Sequence, residues 1–267
     1  MSSIQATESS PGTFLPPLFS TTSTRTFPGG IGVGVAVGEG SESGAFRAVG
    51  SGTCEDEAQR VPGIQTNAVA RRNFLVRFVI SVPRPSPKQI ISPPVIASHS
   101  AKIRVFVPGS PASTELSMLA EDGNPLALAT LLDGSDEVLD VKVADGPLLP
   151  GATMVFELES RGRFNRVSAV GMLVTTNDGF FGLENFLVDR SSRNERVSVP
   201  AWDAGTEFNN ELCGFIPGPP CGSPLVRDTD GAEGFIHTHP GLHGGGDLSP
   251  SDWSWQNPVV DIRIMKK

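Results

Sequence analysis

Two groups of side chains in this sequence have the types and spacing for ion chemistry. The first is acidic. Asp178 sits in Asn177-Asp178-Gly179, and Asp203 and Glu207 flank the turn-forming run Ala204-Gly205-Thr206. Carboxylates on loops at one end of a fold can converge on a hard cation such as calcium, with carbonyls and water completing a shell of about six to eight oxygens. Each Asp is also a good turn former, because its side chain bonds nearby backbone N–H groups. Both readings of the acidic residues stay open on spacing alone. Use of the same carboxylates as catalytic acid and base needs a substrate cleft, which nothing in the sequence marks. No catalytic residue is assigned.

The second group is the stretch Glu233 to Asp247, which carries His237, His239 and His243, three of the four histidines in the chain. If Phe235 to His239 is a strand, His237 and His239 project from one face, two residues apart. Pro240-Gly241 then turns the chain and can return His243 to them. Three imidazoles with Asp247 suit zinc or copper. A rival function follows, a metal-dependent enzyme built on His237, His239 and His243 with one coordination position open. The plainer reading is that these histidines bond backbone carbonyls and hold a loop; if a metal site is structural rather than catalytic, Gly244-Gly245-Gly246 lets the backbone fold back so that Asp247 completes or orients the shell. His99 stands alone and reads as structural. No Gly-x-Ser-x-Gly nucleophile turn occurs in a strand–helix frame. Trp202, Trp253 and Trp255 read as packing residues.

The elements that must position these groups are short and strand-like. Thirty Gly, 23 Pro and no Tyr in 267 residues describe a chain of strands and turns. Phe74 to Val82, Ala101 to Val107, Glu137 to Val143, Thr153 to Leu158, Arg166 to Val174, Asn185 to Val188, Glu195 to Val199, Gly234 to His239 and Pro258 to Met265 read as strands. Between Ser113 and Leu132 the spacing changes to that of two short helices separated by Asp122-Gly123-Asn124-Pro125. Helices are missing between most strands, so the pattern predicts an all-β antiparallel sandwich of about eight strands with a short helical insertion. Residues 1–70 are rich in Ser, Thr, Gly and Pro without a sustained apolar face, and are expected to be a flexible or irregular extension. The domain proper is expected to span 71–267.

Cys213 and Cys221 bracket the turn-rich Gly214 to Pro220, a loop able to bring their Cα atoms within bridging range. Two neighbouring free thiols are the alternative, and Cys54 is left over. A formal charge of −8 argues against nucleic acid as a partner and is compatible with cation binding. No run approaches the roughly 18 apolar residues of a membrane span. The opening Met-Ser-Ser-Ile-Gln-Ala-Thr-Glu lacks the basic and apolar regions of a secretory signal.

Four segments together resemble the spondin domain, in particular its bacterial branch. They are Ser92-Pro93-Pro94-Val95-Ile96-Ala97-Ser98-His99, Leu173 to Leu183 around Asn177-Asp178-Gly179, Trp202-Asp203-Ala204-Gly205-Thr206-Glu207, and Asn257 to Ile264. Their order and spacing carry the resemblance across residues 73–265. It implies a C2-like β-sandwich, calcium held by Asp178 and Asp203 with Glu207 beside them, and work in adhesion. Glu207 departs from the Asp of the animal domain. The implied setting is secreted or cell-surface, and the implied partners are a matrix protein, a glycan or a cell-surface component.

Overall fold

Apolar side chains that alternate along so many short segments have to be buried on one face, and among the described residues ten strands do this in two antiparallel sheets. The computed structural model describes residues 74–82, 88–188, 194–223 and 225–267. The chain divides into two units, Met1–Gly63 and Ile64–Lys267, and every described residue belongs to the second. The expected N-terminal extension and Cys54 lie outside the described residues.

The first sheet has the order β4 (Thr153–Ser160), β1 (Phe74–Ser81), β10 (Val260–Lys266), β7 (Glu195–Val199). The second runs β3 (Val138–Val143), β2 (Val95–His99), β5 (Arg166–Met172), β6 (Gly179–Leu187), β8 (Ala201–Asp203), β9 (His237–Thr238). Between them lies one core. Val76, Phe78 and Ile80 of β1, with Leu158, Ile262 and Ile264 beside them, meet Ile96, Ala169, Phe181 and Ala201 of the larger sheet. Removing side chains of this size from water stabilises the fold by about 1.5 to 3 kcal/mol each. The outer face of β4 follows the strand period, so Val155 is exposed while Phe156 points inward.

The larger sheet is covered on its second face as well. Helices α1 (Thr114–Asp122) and α2 (Leu126–Asp133) lay Leu116, Leu119, Ala120, Leu128 and Leu132 over Val95, Ala97, Val170 and Phe180. The two helices expected from the sequence are thus the third layer of the sandwich. Ser113 caps α1 by accepting from the Leu116 N–H at 3.2 Å. Gly123, at φ 65°, ends it in the left-handed conformation, where its N–H reaches the Leu119 carbonyl.

Double coverage explains where the strand assignments need correction. All five residues of β2 are buried, so this strand shows no alternation and the sequence offers its neighbour instead. Ala101 to Val107, expected as a strand, is turn and irregular chain. Its alternation is real but arises because Ile103 and Val105 dip under the helices while Lys102 and Arg104 face water. The expected strand at Asn185 to Val188 is the tail of β6, whose first five residues are all buried. At the far edge, only His237 and Thr238 of the expected strand pair with β8.

Cys213 and Cys221 are joined by a disulfide with Cα atoms 4.8 Å apart. Trp202 and Trp255 pack as expected, Trp202 against the helical layer and Trp255 in the inter-sheet core, while Trp253 receives the Lys88 ammonium on its ring face. Among the described residues no helix is long and apolar enough to cross a membrane. If the inter-sheet core carries the stability, Phe78→Ala lowers the unfolding free energy by about 3 to 5 kcal/mol and Val155→Ala by less than about 1 kcal/mol. Urea denaturation of both variants checks this, and equal losses would contradict the inward assignment of Phe78.

Candidate cation site

The carboxylates singled out in the sequence, Asp178, Asp203 and Glu207, lie at one end of the larger sheet, but their oxygens do not all approach within 4.8 Å of one another. β6 begins, β8 ends and β9 begins there, because Gly179 pairs with Asp203 and Asp203 pairs with His237. Asp178 therefore precedes the first residue of one strand, while Asp203 closes the next and His237 opens the last. Gly205 seals this corner. It sits at φ 68°, and a Cβ there would come within 2.3 Å of the Phe235 carbonyl oxygen, so only glycine lets the 203–207 turn lie backbone-on-backbone against residues 233–237. The Gly234 N–H donates to the Gly205 carbonyl at 2.8 Å across that contact.

Asp178 and Asp203 are both 0 % exposed and Glu207 1 %. Removing carboxylates from water favours their neutral form unless hydrogen bonds or cations compensate. Compensation is partial. One oxygen of Asp178, Oδ2, accepts from the Thr206 N–H at 2.7 Å, the Glu207 N–H at 3.0 Å and the Thr206 hydroxyl at 3.2 Å. Its other oxygen, Oδ1, is buried without a partner, and so is Oε2 of Glu207. Asp203 is better served, with Oδ1 accepting from the Gly205 N–H at 2.7 Å and Oδ2 from the Asn209 amide at 2.6 Å. Burial, reinforced by the Asp203 charge, pushes Asp178 up to about 7. Burial, with the charges of Glu121 and Asp178, pushes Glu207 up to about 8. Burial also raises Asp203.

Among the described residues, one arginine reaches this end. Arg227 contacts Glu121, bonds Asp122 at 2.6 Å and lies 4.0 Å from Glu207. Glu121 and Asp122 sit in the last turn of α1, where the helix dipole disfavours negative charge, and the guanidinium offsets that. At 4.0 Å from Glu207 it makes no hydrogen bond to it.

The histidines divide. Among the described residues, one set of three His, Cys, Asp or Glu side chains has its ligand atoms all within 4.8 Å of one another, and it is Asp203, Glu233 and His237. His239 lies past the end of β9, 4 % exposed, with its ring 5.0 Å from that of Trp255. Its Nδ1 accepts from the Gly241 N–H at 3.0 Å, and burial, with the neighbouring His237 and His243, holds it down to about 3. His243 stands on Glu211, whose carboxylate accepts from the N–H groups of His243, of Gly244 at 2.6 Å and of Gly245 at 3.1 Å. Asp247 accepts from the Cys213 N–H at 2.9 Å and so ties the Gly-rich loop to the disulfide. The glycine run thus folds around Glu211 and brings Asp247 to the Cys213 loop. His99, 0 % exposed, bonds the Ser100 carbonyl and the Ser168 hydroxyl, which in turn donates to Glu184.

Four residues of this corner carry no role in the sequence reading: Asn209, Glu211, Arg227 and Glu233, which there only opens the histidine-bearing stretch. Glu233 precedes His237 by four residues, a spacing without meaning outside a helix. No protein-family model matches the chain, and no curated protein matches it.

The buried carboxylates give a pH dependence with a definite sign. Asp178 and Glu207 rise from ordinary values of 3.8 and 4.5 to about 7 and about 8, so between those values the folded chain binds more protons than the unfolded one. Their contribution to stability is present at acid pH and is lost as pH rises through about 8. His239 works the other way, but only below its ordinary 6.5. In chelator, the urea midpoint is therefore expected to fall between pH 6.5 and about 8, and Asp178→Asn to flatten that fall. A flat or rising midpoint in the parent protein would contradict the desolvated carboxylates.

Proposed function

We propose that this chain is a spondin-like β-sandwich that serves as an extracellular or cell-surface binding module, with calcium held by Asp178, Asp203 and Glu207 at the end of its larger sheet. The observation that carries the reading is the pair of buried, unpartnered oxygens, Asp178 Oδ1 and Glu207 Oε2, on carboxylates less than 2 % exposed. Anionic oxygen is what a hard cation takes, and a bound divalent ion supplies the charge that the arginine leaves uncompensated. Calcium there stiffens the 173–178 and 203–207 loops by drawing their side chains to one point.

Two further features support a contact role. Phe208, Leu225, Val226 and Phe235 are all exposed on segments that flank the acidic residues, the largest exposure being 54 % at Leu225. Where such exposed apolar side chains form a contiguous patch with a polar rim, they mark an interaction surface. The Cys213–Cys221 disulfide belongs with an oxidising compartment. The partner class that fits is a matrix protein, a glycan or a neighbouring cell-surface component.

Calcium binding to the folded state alone raises the melting temperature by mass action. Saturating calcium is expected to raise it by several degrees over the same protein in chelator, which corresponds to about 2.7 kcal/mol at a hundredfold excess over Kd. Asp178→Asn and Asp203→Asn should each blunt the rise. Retention of the protein on immobilised matrix proteins and glycans should require calcium and fall in the same variants. An unmoved melting temperature would refute the calcium site, and retention that ignores calcium would refute its part in binding.

A further inference from the structure

We propose that Asp203, Glu233 and His237 form a site for a borderline divalent transition metal, zinc above all, with a ligand set that shares only Asp203 with the calcium carboxylates. This goes beyond the binding-module reading, which does not use Glu233 or His237. His237 Nε2 lies 3.8 Å from Asp203 Oδ1 and 3.8 Å from Glu233 Oε2. That is too far for a hydrogen bond. Two atoms bound to one zinc ion at about 2.0 to 2.2 Å are themselves roughly 3 to 4 Å apart, so the spacing fits an ion between them.

The state of the imidazole points the same way. His237 Nδ1 lies 3.0 Å from the Thr238 carbonyl oxygen, which can only accept, so Nδ1 carries the proton in that bond. Nε2 is buried and has no hydrogen-bond partner. If Nε2 is also protonated, its N–H has no acceptor within hydrogen-bond distance. If it is not, its lone pair faces two anionic oxygens. The unprotonated state is the unfavourable one, and a cation at Nε2 relieves it: a proton there is drawn to the two carboxylates at 3.8 Å, and a metal ion accepts the lone pair and both carboxylates together. A ligating histidine whose other ring nitrogen donates to a backbone carbonyl is the usual supporting arrangement. Asp203 is oriented in the same manner by the Gly205 N–H at 2.7 Å and the Asn209 amide at 2.6 Å.

The donor set selects the ion. Calcium and magnesium take oxygen ligands, whereas one imidazole with two carboxylates suits zinc and its neighbours in the first transition series. Three protein ligands leave a coordination position for a further donor; the side chains of His237 and Glu233 are 26 % and 32 % exposed, while that of Asp203 is fully covered. The exposed Phe235 ring lies 5.5 Å from that of His237.

Cobalt(II) is the probe, because its d–d absorption reports the coordination number and geometry of the bound ion and it occupies zinc sites. The full chain, stripped with chelator, is titrated with cobalt near neutral pH and back-titrated with zinc. One cobalt per chain, displaced by zinc, is expected in the parent. His237→Ala and Glu233→Gln should each weaken cobalt binding by about tenfold or more while keeping the calcium-induced rise in melting temperature, which also verifies that they fold. His243→Ala should bind cobalt as the parent does. Normal cobalt binding in a protein that ignores calcium would support this site and refute the calcium reading. No cobalt binding in the parent, parent-like affinity in both His237→Ala and Glu233→Gln, or equal loss in His243→Ala would overturn the proposal.

Discussion

Charge taken out of water is the constraint on which this end of the molecule depends. Asp178, Asp203 and Glu207 are held where almost no solvent reaches them, and the surrounding fold is arranged to keep them there. The helical layer closes the outer face of β5 and β6. The Gly205 contact brings the 233–237 segment down over the 203–207 turn, and no residue with a side chain fits in its place. The Thr206 and Glu207 N–H groups and the Thr206 hydroxyl satisfy one oxygen of Asp178, and the Gly205 N–H and the Asn209 side-chain amide satisfy one oxygen each of Asp203. What remains is a pair of oxygens with nothing to bind, and hydrophobic burial elsewhere in the sandwich has to sustain that cost.

Glu211 shows that burial alone does not produce this situation. It is 3 % exposed, yet its carboxylate accepts three consecutive N–H groups, from His243, Gly244 and Gly245. The Gly246 backbone packs against the Asn210 and Glu211 carbonyls so tightly that a Cβ would come within 2.4 Å of both oxygens. One buried acid is thus a structural anchor with its valences filled, and its neighbours Asp178 and Glu207 are not. The distinction between a loop-holding carboxylate and a ligand lies in the partner of each oxygen.

The sandwich and its helical insertion were legible because β1, β4 and β10 alternate and Leu116, Leu119 and Leu128 recur at helical spacing. β2 and the first half of β6 were hidden by the same physics that makes them strong, since a strand covered on both faces has no polar side to show. Asp178, Asp203 and Glu207 were visible because they sit in turn-forming sequences between strands. Glu233 was not, because it reaches Asp203 through a backbone-on-backbone contact at Gly205 that no spacing reveals. The three histidines read as a unit from their proximity in sequence, but each answers to a different partner: His237 to Asp203 and Glu233, His239 to Trp255, and His243 to Glu211.

A cation that enters this end must displace protons, because Asp178 and Glu207 hold theirs up to about 7 and about 8. Calorimetric titration of calcium at pH 7, repeated in two buffers of different protonation enthalpy, measures the protons released per ion bound. The account predicts saturable binding of calcium with a net release of protons, diminished in Asp178→Asn. Calcium binding with no proton release, or no binding at all, would contradict it.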